Sequence, residues 1–355
     1  MSRHATRAAR PTRVNAGPAL AAVSSMQQRV EGFAASRWPL VGWVGLVLLS
    51  TALLVCAMVP TGPDWFGITG SIVVGGAFAW ALAARTGGRP VIFGSLAVAM
   101  GLLAAWLDQD LVSTGAAVLT TVVAAVLGVM GTVPAKTFAA AVRECVYGMG
   151  IAGVGAMAAV GFEPAIDVTR FEYLGLGLAL ISAEILVFRL GAGLHGLGRR
   201  GVLVVAIGAG ILLATLLYAE LLRRYGSTGL VDWLLERVDW SRDHLGAFPR
   251  PIVAVLGVPA LAYGAHMRAR RRQGWWVCAF GVAATSPVAT SLGNPAVDLS
   301  EVVLSAVYGL LVGLVLAFVV IRLDLALTGN GGRRSRVAEQ AAASRPEPRR
   351  TAALL

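Results

Sequence analysis

The chain has 355 residues, a mean hydropathy of +0.73 and 57% apolar residues, with only 14% charged. Soluble domains carry about 25% charged residues, so a water-soluble globule of this composition is excluded and an all-α polytopic membrane helix bundle is expected, with the lipid bilayer as its first partner. The net charge of +11 does not indicate nucleic acid: arginines sit between apolar runs and in the two tails, Lys136 is the only lysine, and no basic-aromatic platform is present.

In chain order, residues 1–38 form a polar, basic tail with no apolar stretch before Leu40, so no cleavable signal peptide is expected. Leu20, Val23, Val30 and Phe33 recur near helical spacing, which suits either a short helix on the membrane surface or an unstructured tail. A transmembrane domain over 39–321 follows. A spanning helix needs about 20 mostly apolar residues, and ten stretches qualify: Leu40–Val59, Gly67–Ala84, Val91–Leu107, Ser113–Thr132, Val146–Phe162, Tyr173–Leu190, Gly201–Glu220, Pro251–Met267, Trp275–Ser291 and Glu301–Ile321. Turn-forming segments such as "PTGPDW", "RTGGRP" and "GNPAVD" separate them. Between the seventh and eighth spans, residues 226–248 read as an amphipathic helix. Asp232, Glu236, Asp239 and Asp243 share one face, and Trp233 and Trp240 suit the headgroup level. Residues 322–355, rich in Arg, Ala, Pro and Gly, read as a disordered basic tail.

Orientation follows from the basic residues. With both termini cytoplasmic, 24 of the 30 lysines and arginines fall in inner segments and 6 in outer ones. Losing one span would put basic loops on the wrong side, which favours ten spans in the plasma membrane.

The stretch "YGMGIAGVGAMAAVG" at 147–161 holds Gly148, Gly150 and Gly153 in G-x-G-x-x-G spacing. A dinucleotide fingerprint needs a preceding strand and a βαβ unit; this one lies inside an apolar span. The spacing instead places Gly148, Ala152 and Ala156 on one helix face, and Gly309 and Gly313 repeat the device in the tenth span. Small-residue strips of this kind let helix backbones approach closely. The same pattern recurs in "RLGAGLHGLGRRG" at Gly191, Gly193 and Gly196. There it reads as a flexible loop whose arginines fix topology, or as a cradle in which Arg189, Arg199 and Arg200 hold anionic lipid head groups.

Catalytic and metal-binding motifs are missing, and neither a cofactor nor a metal is expected. Cys56, Cys145 and Cys278 are far apart in apolar surroundings and read as buried thiols. His195 and His266 share the inner side, yet nothing in the sequence brings them together. Asp108 and Asp110 flank the third and fourth spans, and Asp298 with Glu301 has capping-box spacing; capping accounts for these acids without catalysis.

Two features remain as substrate-pathway candidates. Pro287 removes a backbone donor inside the ninth span, where Thr285, Ser286, Thr290, Ser291 and Asn294 either satisfy the freed groups or face a substrate. Glu184 lies well inside the sixth span, where it either carries a proton or makes a structural hydrogen bond, with Arg143 as a candidate partner. Three functions fit this pattern. They are a transporter or permease for a small or lipid-like substrate, a membrane-embedded enzyme acting on lipid-linked material, and a non-catalytic subunit packed against a membrane protein partner.

Overall fold

A bilayer core offers no water to an unpaired backbone amide, so apolar runs of this length fold into helices that satisfy their own hydrogen bonds. The computed structural model describes residues 38–59, 62–190, 194–270, 273–294, 297–329 and 347–354, and every regular element among them is helical. In order these are α1 (Trp38–Met58), α2 (Trp65–Arg85), α3 (Pro90–Leu107), α4 (Asp110–Met130), α5 (Phe138–Val160), α6 (Val168–Arg189), α7 (Leu194–Tyr225) and α8 (Thr228–Leu245). A π-helical segment, Ile252–Gly257, leads into α9 (Val258–Arg268). Three short helices follow, α10 (Gly274–Ala279), α11 (Val282–Thr285) and α12 (Pro287–Leu292), and α13 (Leu299–Gly329) ends the series. Residues 1–48 form one compact unit, of which only the first half of α1 is described, and residues 49–355 form the other.

Local chemistry sets the helix ends. Thr137 Oγ1 accepts from Ala140 N at the start of α5, and Asp167 Oδ1 accepts from the amides of Thr169 and Arg170 at the start of α6. Gly246, at φ 78°, closes α8 in the left-handed conformation that glycine adopts without strain.

Among the described residues, eight helices are long and apolar enough to cross a membrane. The expected fifth and eighth spans fall outside that set, for identifiable reasons. The 23 residues of α5 include Arg143, Glu144 and several glycines, which dilute its apolarity, and Ile252–Arg268 is shorter than a full span. The expected ninth span is continuous in position but broken into α10, α11 and α12.

Small residues bring the helices together. A methyl group on Gly128 of α4 would lie 2.7 Å from Gly148 O of α5, and one on Gly148 would lie 3.0 Å from Gly128 O. Ala152 and Ala156 continue that strip in buried positions. Gly309 and Gly313 of α13 face Val253 and Val258. The closest approach to a backbone atom is at Gly257, where a methyl group would sit 2.2 Å from Ala284 N. The π-helical segment and α11 therefore touch backbone to backbone, and Val258, Leu261 and Val282 around them are fully buried. By contrast α3, α6 and α7 carry exposed Leu96, Ile185 and Leu213, as lipid-facing helices do.

Some expectations fall outside the described residues and one meets a different outcome. The N-terminal pattern at Leu20, Val23, Val30 and Phe33 lies outside the described residues, as do Gly191 and Gly193. The tail expected to be disordered from residue 322 is helical as far as Gly329, because Leu323, Leu325 and Leu327 prolong the apolar run. Residues 347–354 lie against the bundle.

Candidate functional site

In a chain with so few charges, burying an ion far from water is costly and needs a compensating partner. One end of the bundle buries three: Arg85 at the end of α2, Glu144 near the start of α5 and Arg268 at the end of α9, which are 4%, 0% and 6% exposed. The α4–α5 connection organises them. Arg85 Nε donates to Met130 O at 3.0 Å; Arg268 donates from Nη1 to Thr132 Oγ1 at 2.7 Å and from Nη2 to Thr132 O at 3.1 Å. Val133 N donates to Glu144 Oε2 at 2.9 Å. Three residues within the four-residue stretch 130–133 thus engage all three ions. The Arg268 guanidinium also stacks 3.4 Å above the Trp275 ring of α10.

The C-terminal segment completes the cluster with opposite charges. Glu347 accepts from Arg268 Nε and Nη2, a two-point contact with the carboxylate. Arg350 Nη2 donates to both oxygens of Glu144, at 2.9 and 2.8 Å, and its guanidinium lies 3.6 Å over the Tyr147 ring. Arg85 Nη1 donates to the carbonyls of Arg349 and Ala352, at 2.8 and 2.6 Å, and Leu354 N donates to Arg85 O at 2.8 Å. Arg143 adds an exposed contact to Glu144 at 3.0 Å. Among the described residues, Arg85 Nη2 has no acceptor.

The residues singled out from sequence lie elsewhere. Glu184 of α6 is half-buried between exposed Ile185 and buried Ala183, with no side-chain partner among the described residues; Arg143 pairs with Glu144 instead. Thr285 Oγ1 donates to Ala125 O of α4 at 3.1 Å, and Ser291 Oγ donates to Pro287 O at 3.0 Å, so both hydroxyls serve the backbone of the broken span. Ser286 and Thr290 are buried beside them, and Asn294 follows α12. Glu301 takes Arg242 Nε at 3.0 Å, which ties α8 to α13. Gly150 and Gly153 face open space, so of the three fingerprint glycines only Gly148 is packed. The side chains of His195, Arg199 and Arg200 lie outside the described residues. His266 is buried on α9, two residues before Arg268.

A second feature is a half-open cavity of about 530 Å³ between α7, the π-helical segment, α9, α10 and α13. Its walls include Ile207, Val255, Ala260 and Phe280, and Gln273 and Asp324 supply its polar lining.

Fold and site together define a membrane-type helix bundle with a buried ionic cluster at one end. No protein-family model, no curated protein and no solved structure matches the chain.

Sequence reading assigned Arg85, Arg268 and Arg350 to topology and Glu144 to no role. The available signal was Glu144 with Arg143 beside it, the two charges of an otherwise uncharged helix.

Proposed function

We propose that the protein is a ten-span permease-like transporter of the plasma membrane, with both termini cytoplasmic, that moves a lipid-like amphiphile. The single observation that supports this reading is the cavity of about 530 Å³ whose walls include the π-helical segment with α9 and, from the broken span, its first piece α10. Irregular backbone at membrane depth is tolerated where it is buried in protein or lines a cavity, and discontinuous helices flank transporter substrate sites. Apolar walls with Gln273 and Asp324 suit an acyl chain joined to a polar head. In this topology α5 and Ile252–Arg268 join the eight long apolar helices as spans. The hydroxyls of Thr285 and Ser291 act as backbone ligands here, which favours the cavity over the ninth span as the substrate path.

The test is reconstitution into vesicles carrying a phospholipid with a fluorescent headgroup, with bleaching of the outer leaflet. Protein-containing vesicles are expected to exchange the label between leaflets faster than protein-free ones. Ala260→Trp, which fills the cavity wall, is expected to abolish the gain while leaving the melting midpoint near that of the parent. Equal exchange with and without protein would refute the reading.

A further inference from the structure

The ionic cluster has the composition of a receptor. Glu347 and Arg350, three apart in the tail, present one negative and one positive group to Arg268 and Glu144, whose side chains are completely buried. Arg85 reads backbone atoms of the same segment, through two carbonyls and one amide. Every polar feature of the segment that the bundle touches belongs to a peptide: a carboxylate, a guanidinium, and main-chain donors and acceptors. The bundle side of each contact is fixed independently of the tail, because Met130 O, Thr132 and Val133 N already orient Arg85, Arg268 and Glu144. Trp275 and Tyr147 supply flat faces for the two guanidinium groups, Arg268 and Arg350. The tail side is less buried, with Glu347 at 20% and Arg350 at 25% exposure, as expected of a ligand lying in a site and not of a structural core.

We propose that Arg85, Glu144 and Arg268 form a binding site for a short peptide of the pattern Glu-x-x-Arg, and that the chain's own residues 347–354 occupy it in cis. Occupancy pairs Glu144 and Arg268 with opposite charges, gives Arg85 two main-chain carbonyls and caps this end of the bundle. Release of the segment exposes an oriented carboxylate-and-guanidinium receptor. The inference concerns the ionic cluster alone and stands whether or not the apolar cavity carries lipid.

The experiment uses the full chain and a version truncated after residue 346, each in detergent, with a fluorescently labelled synthetic peptide of residues 347–355 followed by anisotropy. The truncated protein is expected to bind the peptide saturably, and the full chain about tenfold or more weakly, because its own segment competes at high effective concentration. Peptides carrying Glu347→Gln or Arg350→Ala are expected to lose about tenfold or more of their affinity, since each removes a charge-assisted contact. These changes lie in the peptide and leave the protein's folding untouched. Equal binding to both proteins, indifference to the two peptide substitutions, or no binding by a truncated protein that keeps the melting midpoint of the full chain would each overturn the proposal.

Discussion

The two ends of the bundle use the same ion-pair chemistry under opposite solvation. At the end bearing Arg85, the charged groups of Arg268 and Glu144 are withdrawn from solvent and each is matched by a charge from the tail. At the other end, Arg242 meets Glu301 with half of the arginine side chain exposed, and Arg250 meets Glu172 with both partners partly exposed. Water already solvates the second set, so pairing gains little there; the first set has no such alternative. The buried end therefore depends on its partners, while the exposed end can exchange them for solvent. That difference is why the buried end has the character of a receptor and the exposed end that of a tether.

The sharpest way to break this contrast is Glu144→Ala. It removes the acceptor of Val133 N and both acceptors of Arg350 Nη2, and among the described residues Arg350 Nη1 already lacks a partner. Losing one member of a buried pair costs about 3–5 kcal/mol. A drop of many degrees in the melting midpoint of the purified protein is expected, together with faster proteolysis at residues 347–354. A midpoint within a degree of the parent would mean that the cluster is solvated and the contrast false.

Arg268→Lys is expected to rank second. Lysine keeps the charge but loses the planar fork that bonds Thr132 and Glu347 together and the stack on Trp275. The expected loss is about 1–2 kcal/mol, read from the same melting experiment.

How much of this was legible in the sequence differs between the two ends as well. Helical class and most span positions follow from composition and apolar run length, because a bilayer leaves few alternatives. The α8 segment was legible because its acids repeat at helical spacing on one continuous stretch. The ionic cluster was not legible, because its members come from α2, α5, α9 and a tail whose composition reads as unstructured. Arg85 is 264 residues from Arg349, to whose carbonyl it donates. No local pattern encodes that meeting. The positive-inside rule even gave each arginine a sufficient reason to be where it is, which concealed its second role. Thr285 shows a related limit: a hydroxyl in a broken span suits a substrate or a backbone carbonyl equally well, and its bond to Ala125 O of another helix is not encoded locally.

At the exposed end, Tyr308→Phe is expected to have a smaller effect. Its hydroxyl donates to Leu245 O at 2.8 Å, where α8 ends, beside Ser305 Oγ on Phe248 O at 2.7 Å. Removing one such bond costs about 1 kcal/mol. The expected readout is increased amide exchange in α8 with a global midpoint lowered by only a few degrees.

The smallest effect is expected from Arg242→Ala. The side chain of Arg242 is 51% exposed and that of Glu301 25% exposed, so water competes directly for both groups at their 3.0 Å contact. Exposed pairs contribute about 0.2–1 kcal/mol, and salt weakens them because the Debye length falls to about 3 Å at 1 M. The midpoint of Arg242→Ala should therefore lie within about two degrees of the parent at low salt and coincide with it at 1 M. The same salt step should leave the penalty of Glu144→Ala largely intact, since mobile ions do not enter a site whose charged atoms are closed to solvent. A salt-insensitive penalty at Arg242 would show that the α8–α13 contact excludes water in the membrane-bound protein. The exposed end would then be a second buried ionic cluster, and α8 would pack as part of the bundle.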